Sequence, residues 1–84
     1  MLTHHAELHN PIRITANGDT WYEGRIHGDK HTHGNHPFRD GVSIITTSMQ
    51  SEHVIDGGKY VVTRNTIYKI VGEVREVDYD KATA

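Results

Sequence analysis

The sequence predicts an all-β fold, a small five-stranded SH3-like barrel or a curled antiparallel sheet. Three observations predict it. Residues 42–49, 60–64 and 66–71 are rich in Val, Ile, Thr and Tyr and alternate with a period of two. Asn17-Gly18 and Asp56-Gly57-Gly58 stand between apolar runs as hairpin turns, because Asn, Asp and Gly reach positive φ at little cost. About five short runs separated by tight turns suit a small barrel or curled sheet.

In chain order, residues 1–10 (MLTHHAELHN) form a short arm with three histidines and the capacity for one helical turn. Asn10-Pro11 favours an extended exit, since a residue before proline is pushed from the α region. Ile12, Ile14 and Ala16 then alternate with Arg13 and Thr15, and after the Asn17-Gly18-Asp19 turn residues 20–27 (TWYEGRIH) return as the second half of a hairpin. Tyr22, Gly24 and Ile26 share one face of that strand; Trp21, Glu23 and Arg25 share the other. Gly24 within a strand marks a bulge or a close approach of another backbone.

Residues 28–40 break every period and read as a surface loop anchored by Phe38. Residues 42–49 carry apolar side chains on both faces, which predicts a central strand. After a bridge at 50–53, Val54-Ile55 meets the Asp56-Gly57-Gly58 turn, and residues 59–64 return. Arg64-Asn65-Thr66 is a tight corner with Asn65 at positive φ, and residues 66–71 follow. The three runs are expected to be consecutive in one antiparallel sheet, with Ile44, Ile45, Val62, Ile67 and Ile70 buried. Residues 73–84 hold four acids against two bases and form an edge strand or a helical turn. The organisation is thus an arm (1–10), a β domain (11–72) and an acidic segment (73–84).

Composition narrows the function. A chain of 84 residues with 35% hydrophobic content builds one domain with a thin core, so self-association into a homo-oligomer is expected. Cysteine is absent, which excludes disulfides and thiolate metal sites and suits a reducing cytoplasm. The net charge of −2 argues against a dedicated duplex-DNA binder. No apolar run approaches the ~20 residues of a membrane-spanning helix, and residues 1–10 lack a signal pattern, so a soluble cytoplasmic protein is expected.

One resemblance adds to this. The pattern His-Pro-Phe-Arg-Asp-Gly, Ile-Thr-Thr-Ser, Val-Ile-Asp and Val-Thr-Arg-Asn-Thr-x-Tyr, over residues 36–70, resembles a group of short, mostly uncharacterised β proteins of phages and prophages. Residues 21–28 match more loosely. The resemblance implies a viral counter-defence protein acting in a bacterial host cytoplasm. Such a protein blocks an immune complex or sequesters the nucleotide signal that activates one. The group supplies no catalytic motif.

The residues themselves offer three constellations. His27, His31, His33 and His36 lie within ten residues and could ligate a metal, but their spacing matches no zinc finger, so no metal or cofactor is expected. Glu23, Asp40, Glu52 and Asp56 could supply acid–base pairs, and His31-Thr32-His33 is half of a two-histidine phosphodiesterase pattern. With no Gly-x-Ser-x-Gly, phosphate loop or Rossmann glycines, a non-enzymatic protein is the expectation. The hydroxyl cluster points elsewhere. Thr47 and Ser48 end one run, Asn65 and Thr66 form the next corner, and Arg39 and Arg64 flank them. Hydroxyls, free backbone N–H groups and a guanidinium make a cradle for phosphate, with Trp21 and Tyr68 available to stack on a base. These eight residues predict a sponge for a small anionic, cyclic nucleotide. The rivals are an anti-CRISPR-like inhibitor of a host defence protein, using an acidic face of Glu73, Glu76, Asp78 and Asp80, and a nucleic-acid-binding barrel.

Overall fold

Strand β1 (Ala6–Ala16) is the spine of the molecule, and every other element is placed by it. The computed structural model describes residues 4–30, 39–64 and 66–80. Among these residues lie six further strands: β2 (Asp19–His27), β3 (Val42–Ile45), β4 (Ser51–Ile55), β5 (Gly58–Val62), β6 (Ile67–Val71) and β7 (Arg75–Asp78). The sheet order is β3-β2-β1-β6-β5-β4, and β7 pairs with β1 beyond the end of β6.

The all-β class is as the period-two runs predict. The finer expectations need correction. Strand β1 runs parallel to both β6 and β7, so the sheet is mixed rather than antiparallel throughout. Among the described residues it has seven strands, and its edges β3 and β4 do not pair, so it curls without closing into a barrel. Residues 46–50 strap the two edges together instead. Thr46 N donates to Tyr22 O at 2.8 Å, Met49 N to Thr20 O at 2.6 Å, and Gln50 N to Val62 O at 2.8 Å.

The bend that curls the sheet is written at Asn10-Pro11. Proline has no N–H for a ladder, so a strand holds it at a bulge. The pairing with β2 shifts between His9↔Arg25 and Ile12↔Glu23, which sets Asn10 and Pro11 opposite the single Gly24. A Cβ on Gly24 would lie 3.1 Å from both Leu8 Cγ and Pro11 Cα, which accounts for glycine there. Asn10 takes φ 47°, so the Asn-Pro pair kinks a continuing strand instead of ending an arm. On the other edge of β1, β6 pairs as far as His9↔Val71, Gly72 turns at φ 84°, and β7 resumes at Ile12↔Arg75.

Both two-residue hairpins have the type I′ form, with positive φ at Asn17 and Gly18 and at Asp56 and Gly57. The core fills the concave face: Ala6, Leu8, Tyr22, Ile26, Ile44, Val61, Tyr68 and Ile70, with Met49 and Val74 packed against them. Full burial of each large aliphatic chain contributes about 1.5–3 kcal/mol. Ile44 and Ile70 are buried as expected, Val62 and Ile67 are half-buried, and Ile45 is 66% exposed. The reason is the place of β3. It is an edge strand bonded only to β2, not a central neighbour of β5, and Ile45 points to the convex face. Residues 6–10 are sheet, with Ala6 and Leu8 fully buried, where a helical turn was possible from sequence. Residues 75–78 are strand. Asn65 and Phe38 lie outside the described residues.

Candidate ligand-binding site

The bulge changes which side chains of β1 face inward. Before it they are Ala6 and Leu8; after it they are Pro11 and Arg13. The concave face is therefore apolar at one end and charged at the other. Arg13 stands directly opposite Tyr22 on β2. Glu52 reaches both from β4: Arg13 Nε donates to Glu52 Oε1 at 2.8 Å, and Tyr22 Oη donates to the same oxygen at 2.6 Å. Lys59 Nζ on β5 lies 3.7 Å from Glu52 Oε2 and 5.9 Å from the centre of the Tyr22 ring. Arg13 Nη1 is also 3.6 Å from Glu76 Oε1 on β7.

This network fixes its own protonation. Burial pushes the Tyr22 phenol above its ordinary range, and the bond to Glu52 pushes it further. Burial alone would raise the Glu52 carboxyl, but hydrogen bonds from Tyr22 and Arg13, with the charges of Lys59 and Arg13, outweigh it and hold it below the usual range. The bond to Glu52 raises Arg13. Among the described residues no buried side-chain polar atom lacks a partner.

Lys59 joins this network to an open depression of about 600 Å³. The depression exists because β6 bends away at Gly72 while the β4–β5 hairpin continues to its Asp56-Gly57 turn. Glycine backbone at Gly57, Gly58 and Gly72 forms its walls, Ile70 and Val74 give it an apolar floor, and Lys59 and Lys69 supply charge. Asp56 stands at its rim, exposed. Lys59 shares the face of Ile70 and Lys69 the opposite face, so the site can hold an anion at Lys59 and an apolar or flat group against the floor.

The residues singled out from sequence are dispersed. Arg39 precedes β3 at one sheet edge and Arg64 follows β5; both are exposed. Thr47 and Ser48 are exposed in the strap. Ser48 and Arg64 are each two residues from the Gln50–Val62 hydrogen bond. Thr66 is buried, its carbonyl accepting from Thr63 N at 2.9 Å and from Thr63 Oγ1 at 3.2 Å. Tyr68 is buried on the concave face opposite Val61, and burial raises its phenol. Trp21 is half-buried on the convex face beside Ile14. The two rings therefore face opposite sides of the sheet. Asn65, His31, His33 and His36 lie outside the described residues. The His27 ring lies tilted against His9 with ring centres 4.1 Å apart, and no three metal-ligating side chains converge among the described residues.

Lys59 and Lys69 read from sequence as two of several scattered bases. The available signal was Lys59 following the double glycine of a hairpin turn; that Ile70 lies opposite it depends on the β5–β6 register, which sets Lys69 opposite Tyr60. No protein-family profile matches this chain, and no curated protein or solved structure matches it.

Proposed function

We propose that the chain is a non-enzymatic binding protein that holds a small anionic ligand of the nucleotide class in the depression between the Asp56-Gly57 turn and Gly72. The observation that carries this reading is the bare glycine backbone of Gly57, Gly58 and Gly72 beside Lys59 and above the apolar floor of Ile70 and Val74. Lysine meets phosphate as a point charge, and backbone N–H groups at positive-φ turns add donors. The volume of about 600 Å³ falls within the ~300–1,000 Å³ range of small-molecule sites. The neighbouring acids and bases are engaged with one another: Glu52 is held ionised by Arg13 and Tyr22, which makes it a weak general base. The resemblance to phage β proteins supports sequestration of a nucleotide signal as the biological role, with the cytoplasm of a bacterial host as its place.

Titration calorimetry against cyclic dinucleotides, linear dinucleotides and mononucleotides tests it. Saturable binding that weakens with salt is expected for at least one member. No binding by any of them would end this reading. A direct inhibitor of a host protein is the second reading, favoured by Val54, 75% exposed on the edge strand β4. An edge strand with an exposed apolar side chain invites strand addition by a partner.

A further inference from the structure

We infer that the convex face of the sheet is a dimer interface, on which a second copy of this chain packs about a two-fold axis running along β1. This surface is separate from the depression and independent of the ligand reading.

Outward positions of a one-layer sheet are normally polar, because only the inner face meets a core. Here apolar residues interrupt them on β7, β1, β2 and β3, beside the outward Arg75, Glu23, Arg25 and Ser43. One cross-strand row reads Val77–Ile14–Trp21. The next reads Arg75–Ile12–Glu23–Ile45. Val77 is 39% and Ile45 66% exposed, and all eight residues of the buried core lie on the opposite face. Ile12, Ile14 and Trp21 are half-buried within one chain, although this face carries no part of the buried core among the described residues.

The charges in the second row say what covers it. Arg75 and Glu23 sit symmetrically on either side of Ile12, both exposed, two strand spacings or about 9–10 Å apart. Neither makes an ion pair among the described residues. A two-fold rotation about an in-plane axis along β1 exchanges the left and right of a facing sheet. It sets Arg75 of each copy over Glu23 of the other and Trp21 of each copy over Val77 of the other, while Ile12 and Ile14 meet their own counterparts. The face is self-complementary, as an isologous interface must be. Two sheets packed this way lie about 10 Å apart, with strands within about 30° of each other. The pairing gives each chain the second layer that a thin core lacks.

Sedimentation velocity on the full chain tests this with four proteins: wild type, E23R, R75E and the double variant E23R/R75E. Both side chains are exposed, so near-UV circular dichroism and the thermal midpoint of each variant serve to confirm an intact fold. Wild type is expected at the mass of two chains. Each single variant sets like charges opposite one another and should raise the dimer dissociation constant tenfold or more. The double variant should regain the dimer, and so should an equimolar mixture of E23R with R75E, since both of its cross-contacts are attractive. A monomeric wild type, single variants that remain as dimeric as wild type, or a mixture that stays monomeric would each overturn the assignment. The second of these would move the contact to the β3 or β4 edge.

Discussion

Asn10 and Gly72 meet at the point where both pairing edges of β1 bend. Asn10 Oδ1 accepts the Glu73 amide at 3.2 Å, and that oxygen occupies the space a Cβ on Gly72 would take. Gly72 sits at φ 84° and Asn10 at φ 47°, so the two left-handed residues stand side by side. This contact turns β6 into β7, opens the depression beside the hairpin, and admits Arg13 to the concave face.

Gly72→Ala should therefore destabilise the fold by about 1–3 kcal/mol, the scale of a side chain forced into the left-handed region, before any displacement of Asn10 is counted. Urea denaturation measures it. An unchanged midpoint would mean that the bend does not depend on this contact.

Glu52 should carry part of the acid sensitivity. Its folded carboxyl lies below the ordinary value, so its stabilisation is present above about pH 4.3 and is lost as pH falls through the folded value. Glu52→Gln should lower stability at neutral pH and flatten the decline in acid. A decline as steep as that of wild type would assign it to other carboxylates.

Tyr22 makes the opposite prediction in base. Its folded phenol lies above the ordinary value, so its contribution is complete below about pH 10 and is lost as pH rises through the folded value. Tyr22→Phe should reduce the alkaline loss without abolishing it, because Tyr68 is raised as well. At neutral pH the variant should cost about 1.5–3 kcal/mol, the range for a hydrogen bond to a charged group, and nearer the lower figure because Glu52 keeps Arg13 and Lys59. Denaturant midpoints across pH decide both parts.

Much of the fold is legible in the sequence where its causes are local. The two I′ turns follow from Asn-Gly and Asp-Gly, the hairpin β1–β2 from alternation, and the close approach at Gly24 from a glycine inside a strand. What was not legible depends on partners far along the chain. Ala6 and Leu8 alternate with Glu7 and His9, but a small alanine among histidines gives a weak signal until β6 is known to lie alongside. Ile45 looks central because both faces of its run are apolar; its exposure follows from the single neighbour β2. Arg13 and Glu52 are 39 residues apart, and the bulge that turns Arg13 inward cancels the simple period of two. For the same reason the hydroxyls and arginines chosen by proximity in sequence are dispersed, while Lys59 and Ile70 come together through the β5–β6 register.

Lys59→Gln should weaken a bound nucleotide at least tenfold, because Lys59 is the lysine on the face of the Ile70 floor. Calorimetry beside wild type measures the affinity. Equal affinity in the two proteins would remove Lys59 from the site.

The most direct test of the ligand site is an amide ¹⁵N–¹H titration of the folded chain with the nucleotide that calorimetry ranks tightest. Shifts should concentrate at Gly57, Gly58, Lys59, Lys69 and Gly72, the residues around the depression. Shifts confined to Arg39, Ser48, Arg64 and Thr66, with the glycines of the depression unmoved, would contradict the assignment and return the ligand to the hydroxyl corner.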